Sequence, residues 1–460
     1  MMNIKKFFEP TDMTVGTPWK SIGLFSIPMV IGNIAQQLYS TVDSIVVGHY
    51  VGDNALAAVG SAAPIFNLLL VLFIGISAGV GIMVAQYFGA KSREDLSKTI
   101  GSCITLTALV SLVLMVISPL VVRPLLRLLD TPASIMDDCT SYLIIMMLGI
   151  AGMAYYNILS GILRGMGDSF SALLYLLVAT VLNIGLDVWF VAGFEMGVSG
   201  VALATVIAQA VSSVLCIWKL MHMKDTFDLT RKELVMSKFH VGRIVKLGLP
   251  SGATQAIFSS AMIIVQSLTN SFGELFIAAN VIVMRVDGFA MMPNFSFGTA
   301  MTTYTGQNVG AKKPDRVMLG AKQGTIMAVL CSATITGIIL LFGKHLMRVF
   351  TDTPELVNMS YYMMCILAVG YIAMAVTQSL SGVMRGAGDT VTPMWISLCT
   401  SVLIRIPVAY GISWLTATPE LPTGRSECIQ ISLLTSWVLG AVLTFIFYKA
   451  GKWKKAVNDV

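Results

Sequence analysis

Histidine and cysteine are scarce and scattered in this chain. The four histidines (His49, His222, His240 and His345) form no HExxH or other ligand spacing. The seven cysteines stand singly at 103, 139, 216, 331, 365, 399 and 428, with no CxxC pair. They read as small helix-packing residues and call for no cofactor. A GxxxxGK phosphate loop is also missing, which excludes ATP hydrolysis by that route. No Ser/His/Asp arrangement is visible. Any uphill work must therefore draw on an ion gradient. Charge is the scarcest commodity: 12% of residues are ionised types, against about 25% in soluble domains.

What remains is apolar. Hydrophobic residues make up 56% of the chain, and the mean hydropathy is +0.79. Long apolar runs alternate with short polar connections, the pattern of helices crossing about 30 Å of hydrocarbon. Twelve spans are predicted. The first six cover roughly 19–44, 55–83, 99–122, 139–161, 170–192 and 197–219. The second six cover roughly 244–270, 276–305, 318–342, 357–381, 391–415 and 428–448. The expected fold is an all-α integral membrane protein. No cleavable leader is expected, because the first run begins near Trp19 behind a polar lead and is too long for one.

Orientation follows from the cations. Of 30 Lys and Arg, 23 fall in the connections on one side of the predicted spans. Only Arg123, Arg127, Lys344, Arg348 and Arg425 fall on the other, and Arg285 and Arg405 lie within spans. Positive connections stay inside, so both termini are expected to be cytoplasmic, in a bacterial plasma membrane. The same distribution accounts for the net charge of +6 without a nucleic-acid partner. The longest polar connection sets the expected division: an N-terminal lobe 1–221, a linker 222–243 and a C-terminal lobe 244–460.

The two lobes repeat one another. Arg164-Gly165-x-Gly167-Asp168 recurs as Arg385-Gly386-x-Gly388-Asp389, 221 positions on. Gln86-x-x-Gly89-Ala90-Lys91 recurs as Gln307-x-x-Gly310-Ala311-Lys312 at the same offset. Asp130-Thr131-Pro132 recurs as Asp352-Thr353-Pro354, and Ile27-Pro28 as Leu249-Pro250, both at 222. Six spans per half keep the same membrane orientation, so these are two parallel six-helix repeats. Each RGxGD turn joins the fourth and fifth spans of its half on the cytoplasmic side. Its glycines permit φ > 0, its Asp can cap the next helix, and its Arg can reach the preceding helix's last carbonyls. A role in gating is the alternative to a purely structural turn.

Two six-helix halves with an RGxGD turn in each, and a first span carrying Pro28 and then Asp43, resemble the multidrug and toxic compound extrusion (MATE) family. The segments MRVDGFA (284–290) and IRIPVAY (404–410) are similar to its bacterial branch containing DNA-damage-inducible protein F. The resemblance covers nearly the whole chain. It implies a central cavity between the halves and export of amphipathic, often cationic, small molecules.

The halves differ in their buried polar residues. Gln36, Tyr39 and Asp43 share one face of the first span. Asn183 and Asp187 are one helical turn apart in the fifth, and Asn157 lies in the fourth. At the repeat offset, both carboxylates have apolar counterparts, Val265 and Ala409. Ionisable groups inside a membrane are costly unless paired or hydrated, and are functional candidates by default. Asp43 and Asp187 can exchange a proton, or can equally hold Na⁺ with Asn183 and Asn157 as neutral donors; the lesser alternatives are an interfacial Asp43 and a packing Asp187. In MATE proteins the matching positions are implicated in cation coupling. Pro28 removes a backbone donor and allows a kink that protonation or ion binding could bias.

The second half offers Arg285, Asp287, Met291, Asn294, Gln378 and Arg405 as candidates for substrate contact. Arg285 and Asp287 are two apart and take different sides of their helix. These two and Arg405 can alternatively form structural ion pairs, and Met291 can simply pack. The combined expectation is a secondary antiporter, H⁺- or Na⁺-coupled, acting as a monomer by alternating access and not an enzyme. A lipid-linked sugar flippase of the same superfamily, or an exporter of one metabolite, is the alternative.

Overall fold

The computed structural model describes residues 9–128, 131–230, 232–451 and 453–454. It is helical throughout; among the described residues the one β feature is an isolated bridge between Thr418 and Leu421. The first half contains α1 (Pro18–Val46), α2 (Asp53–Gly89), α3 (Arg93–Leu128), α4 (Met136–Leu148), α5 (Ile150–Gly165), α6 (Ser169–Val188) and α7 (Gly197–Met221). The second contains α8 (Lys238–Asn270), α9 (Glu274–Gly310), α10 (Pro314–Arg348), α11 (Pro354–Ala368), α12 (Gly370–Gly386), α13 (Val391–Leu398), α14 (Arg405–Leu415) and α15 (Cys428–Ala450).

Ten helices among the described residues are long and apolar enough to span a membrane, and two bent pairs bring the number to twelve. The bent pairs are the fourth span of each half. α4 and α5 meet at 52°, α11 and α12 at 44°. The first bend falls at Gly149 and the second at Val369, beside Gly370. A Cβ on Gly149 would sit 2.3 Å from the Val206 side chain of α7, and one on Gly370 would sit 2.5 Å from Trp437 of α15. In each half, then, the sixth span presses into a glycine notch in the fourth.

The packing units do not follow the expected boundary at 222–243. One unit takes Met1–Asp12 and Pro28–Gly252; the other takes Met13–Ile27 and Ala253–Val460. α1 therefore changes unit at Pro28, and α8 changes unit after Gly252. The cause is local packing. In the first unit, Gly75 and Gly79 of α2 face Gly248 and Gly252 of α8: a Cβ on Gly79 would lie 2.4 Å from the Ile244 carbonyl, and one on Gly248 2.5 Å from the Gly75 carbonyl. Lipid tails are as apolar as leucine, so spans associate by such close approach of small residues. Arg243 adds bonds from α8 to Gln86 Oε1 at 2.8 Å and to the Tyr87 hydroxyl at 3.2 Å.

The second unit holds the start of α1 in the corresponding way. Gln307 Oε1 accepts from the Met13 backbone at 2.8 Å. Arg316 donates to the carbonyls of Met13, Val15 and Gly16, and Lys313 to that of Thr14. The repeated glutamines Gln86 and Gln307 thus each secure the lead of a helix that changes unit. Outside, Leu109, Leu112, Val116 and Leu120 recur at helical spacing as an exposed apolar stripe on α3, the face that lipid solvates.

Candidate functional site

In the first unit the structure gathers Tyr39 of α1, Asn183 and Asp187 of α6, and Thr205 of α7. The Tyr39 hydroxyl donates to Thr205 Oγ1 at 3.1 Å, and Asn183 Nδ2 donates to the same oxygen at 3.4 Å. Asn183 and Asp187 are fully buried and Thr205 nearly so. A π-helical turn, Trp189–Gly193, begins two residues after Asp187; such turns mark functional positions in otherwise regular helices. The cluster offers a carboxylate, an amide and two hydroxyls, a donor set suited to a proton or a hard cation. No group of three or more His, Cys, Asp and Glu gathers among the described residues.

The other expected members are placed differently. Asp43 lies on α1, and its side chain falls outside the described residues. Gln36 is exposed. Asn157 turns back on its own helix, donating to the Met153 carbonyl at 2.8 Å; Ser77 binds only its backbone oxygen. Asn157 and Asn183 therefore do not share a partner. Thr205 was not anticipated from the sequence. Its signal was the spacing of Thr205, Gln209 and Ser212, which lie on one face of α7 and are all buried.

In the second unit, Arg405 of α14 is nearly fully buried, Asp287 of α9 is partly buried, and Tyr371 of α12 is fully buried, its hydroxyl donating to Met364 Sδ at 3.9 Å. Arg285 is exposed. Met291 and Asn294 belong to the unit's interior instead of an open surface. Asn294 is fully buried, donates to the Tyr371 carbonyl at 3.2 Å and accepts from Ser332 Oγ at 2.6 Å. Met291 packs in the apolar core, where a flexible thioether fills space between helices. Gln378 is buried against Gly298. Pro28 sits inside α1, the first residue of that helix to belong to the first unit.

The two RGxGD turns are built alike. Asp168 accepts from Ser171 N and Oγ at 2.9 and 2.7 Å; Asp389 accepts from Thr392 N and Oγ1 at 3.0 and 2.7 Å. Gly167 and Gly388 have φ of +85° and +102°. The backbone of Asp168 donates to Leu163 O and that of Gly167 to Arg164 O. Asp389 and Gly388 repeat this with Met384 O and Arg385 O, the Schellman pattern. Contrary to expectation, among the described residues Arg164 and Arg385 make no hydrogen bond to these carbonyls, which the backbone bonds of the turn reach instead. Burial pushes the Asp168 carboxyl above the usual carboxylate range, against the opposing pull of Ser171 and of Lys219, whose Nζ lies 3.9 Å away.

Comparison with known proteins agrees with this architecture. The MatE family model matches twice, over residues 28–189 and 250–411, each match starting at a helix proline. A Bacillus subtilis (strain 168) relative described as "Probable multidrug resistance protein YoeA" is 30% identical, over 90% of this chain and 92% of its own. "DNA damage-inducible protein F" of Escherichia coli (strain K12) is 26% identical over 73% of this chain and 74% of its own. A crystal structure of MATE in complex with MaL6 shares the fold, with a TM-score of 0.90, covering 98% of this chain and all of that one at 23% identity. Twice matched by the family model across its two repeated halves, the chain belongs to the MatE family of multi-pass membrane transporters and is not an enzyme.

Proposed function

We propose that this protein is a secondary active antiporter that exports amphipathic, often cationic organic compounds in exchange for H⁺ or Na⁺. The observation that carries this reading is the full burial of Asn183 and Asp187 one turn apart on α6, with Asn183 bonded through Thr205 to Tyr39 on α1. A carboxylate at that depth in a membrane span is a functional candidate by default, suited to taking up and releasing a cation. Asp43, four residues beyond Tyr39 on α1, is the second carboxylate of the proposed site.

Coupling then runs through α1. Tyr39 rides on the part of α1 beyond Pro28, where the helix lacks one backbone donor. Loading the site with an ion changes the charge that Tyr39 and Asn183 face, and so favours one bend of α1 over another. Alternating access follows, from a monomer with both termini cytoplasmic in a bacterial plasma membrane. The name of the YoeA relative supports a multidrug substrate range. The RGxGD turns serve as structural turns on the cytoplasmic side, and their capped, fully bonded ends support that role.

The test is efflux of a fluorescent cationic dye from proteoliposomes under a pH gradient or a Na⁺ gradient imposed separately. Flux driven by one ion and lost in Asp187→Asn and Asp43→Asn supports the reading and names the ion. Flux indifferent to both gradients, or unaffected by both substitutions, overturns it.

A further inference from the structure

The second unit contains a cavity of about 360 Å³ between α9 and α10. Val286, Phe289 and Ala290 of α9 form one wall; Ile338 and Ile339 of α10, with Val349 just past its end, form the other. Every side chain that lines it is aliphatic or aromatic. Phe289, Ile338 and Val349 are exposed, so the cavity is open along one edge. Along α10 the lining from Ile338 to Val349 covers about 17 Å at the helical rise, room for an extended hydrocarbon chain.

One charge stands on that open edge. Arg285 precedes Val286 and lies one turn before Phe289 on α9, so the Cβ atoms of Arg285 and Phe289 are about 5–6 Å apart. Both residues are exposed. Among the described residues Arg285 makes no hydrogen bond and no ion pair. Asp287, two residues on, takes another side of the helix. Arg285 is nine residues past the start of its expected span at 276, about 14 Å along the axis. That is close to the middle of a hydrocarbon layer about 30 Å thick. A guanidinium so deep needs water or an anion, and the wall beside it is apolar.

We propose that the cavity and Arg285 together bind a single-chain amphipathic anion, its apolar tail in the cavity and its carboxylate on Arg285. Sites for small molecules have this make-up: apolar walls, and a few polar groups that fix orientation. The guanidinium fork matches a carboxylate with two parallel hydrogen bonds. A phospholipid of the surrounding leaflet keeps its phosphate at the bilayer surface, well away from the depth of Arg285, so the occupant is a molecule that the protein takes up. Such an anion is a second chemical class beside the cationic compounds proposed above. Its export rests on the antiport reading; its binding does not.

The test is equilibrium binding of a fluorescent long-chain carboxylate to the purified full-length protein in detergent, against its methyl ester and against protein-free micelles. Wild type is expected to bind the carboxylate saturably. Arg285→Gln, which breaks no contact within the chain, is expected to weaken carboxylate binding about tenfold or more and to leave the ester unchanged. Arg285→Lys keeps the charge and should restore most of the affinity. Ile338→Trp fills the cavity from an exposed position and should weaken both ligands. The proposal is overturned by carboxylate binding that is equal in wild type and Arg285→Gln, by indifference to Ile338→Trp, or by no saturable binding above the micelle background. It is also overturned if equimolar phosphatidylglycerol displaces the probe, which would make the cavity a lipid's site. Binding is read without any gradient, so a failure of ion-driven dye flux removes the antiporter and leaves this site standing.

Discussion

Tyr39 and Asn183 end on one oxygen atom, the Thr205 hydroxyl. A single side chain on α7 therefore ties α1 to α6 at the level of the buried carboxylate. Its two hydrogen bonds, of 3.1 and 3.4 Å, suit a contact that breaks and re-forms in the proposed cycle.

Removing either end should slow ion-driven efflux without unfolding the protein. Tyr39→Phe and Thr205→Val are each expected to cost about 0.5–1.5 kcal/mol, a few-fold to about tenfold in rate. The double variant should cost less than the sum, because the two residues share one bond. Thr205→Ser keeps the oxygen and should stay near wild type. Dye efflux rates for the four proteins check this, and strict additivity would remove the coupling.

The glycine crossing between α2 and α8 should be intolerant of any side chain. A methyl on Gly79 meets the backbone at Ile244, which cannot rotate away. Gly79→Ala is expected to destabilise by about 1–3 kcal/mol. Gly60, on the same helix with open space around it, is the control, and thermal unfolding in detergent is the readout.

Lys91 and Lys312 both hold φ of +55°, the left-handed conformation, at the ends of α2 and α9. A residue with a Cβ pays about 1–2 kcal/mol there. Lys312 is exposed, so Lys312→Gly should raise the unfolding temperature. An unchanged or lower temperature would show that the lysine side chain contributes more than its backbone strain costs.

Asp168 gives a pH prediction with a definite sign. Burial raises its folded pKa above the unfolded value. The stability it contributes is therefore fully present below the unfolded pKa and is lost as pH rises through the folded one. Asp168→Asn keeps an oxygen for the Ser171 backbone and should lack this decline between acid and neutral pH. Asp168→Ala loses the cap as well and should cost about 1 kcal/mol at every pH. Unfolding midpoints across that range distinguish the three proteins.

Much of the fold was legible because hydrocarbon imposes length and because repeats impose an offset. The run 139–161 reads as one span, and α4 with α5 supplies it. Its bend does not read, because Gly149 looks like any glycine until Val206 is seen against it. The change of unit after Gly252 does not read from the sequence: it depends on Gly248 meeting Gly75, a pairing of distant residues with no covalent marker. At the site, Asn183 and Asp187 were readable as polar residues one turn apart in an apolar run. Thr205 was passed over because a lone threonine costs little in a membrane helix. Asn294 shows the converse, since an amide conspicuous in sequence spends its bonding on Met291, Tyr371 and Ser332.

The changes of unit bear on how the chain is made. Residues 13–27 are among the first to leave the ribosome, yet the helices that receive them, α9 and α10, are made only in the second half. The first unit in turn lacks one of its packed helices until Lys238–Gly252 has been synthesised. Neither unit can close while the polypeptide ends at the central linker. Biogenesis must hold both unfinished bundles in the bilayer until the second half arrives, and a nascent chain arrested at the linker is the species most exposed to quality control.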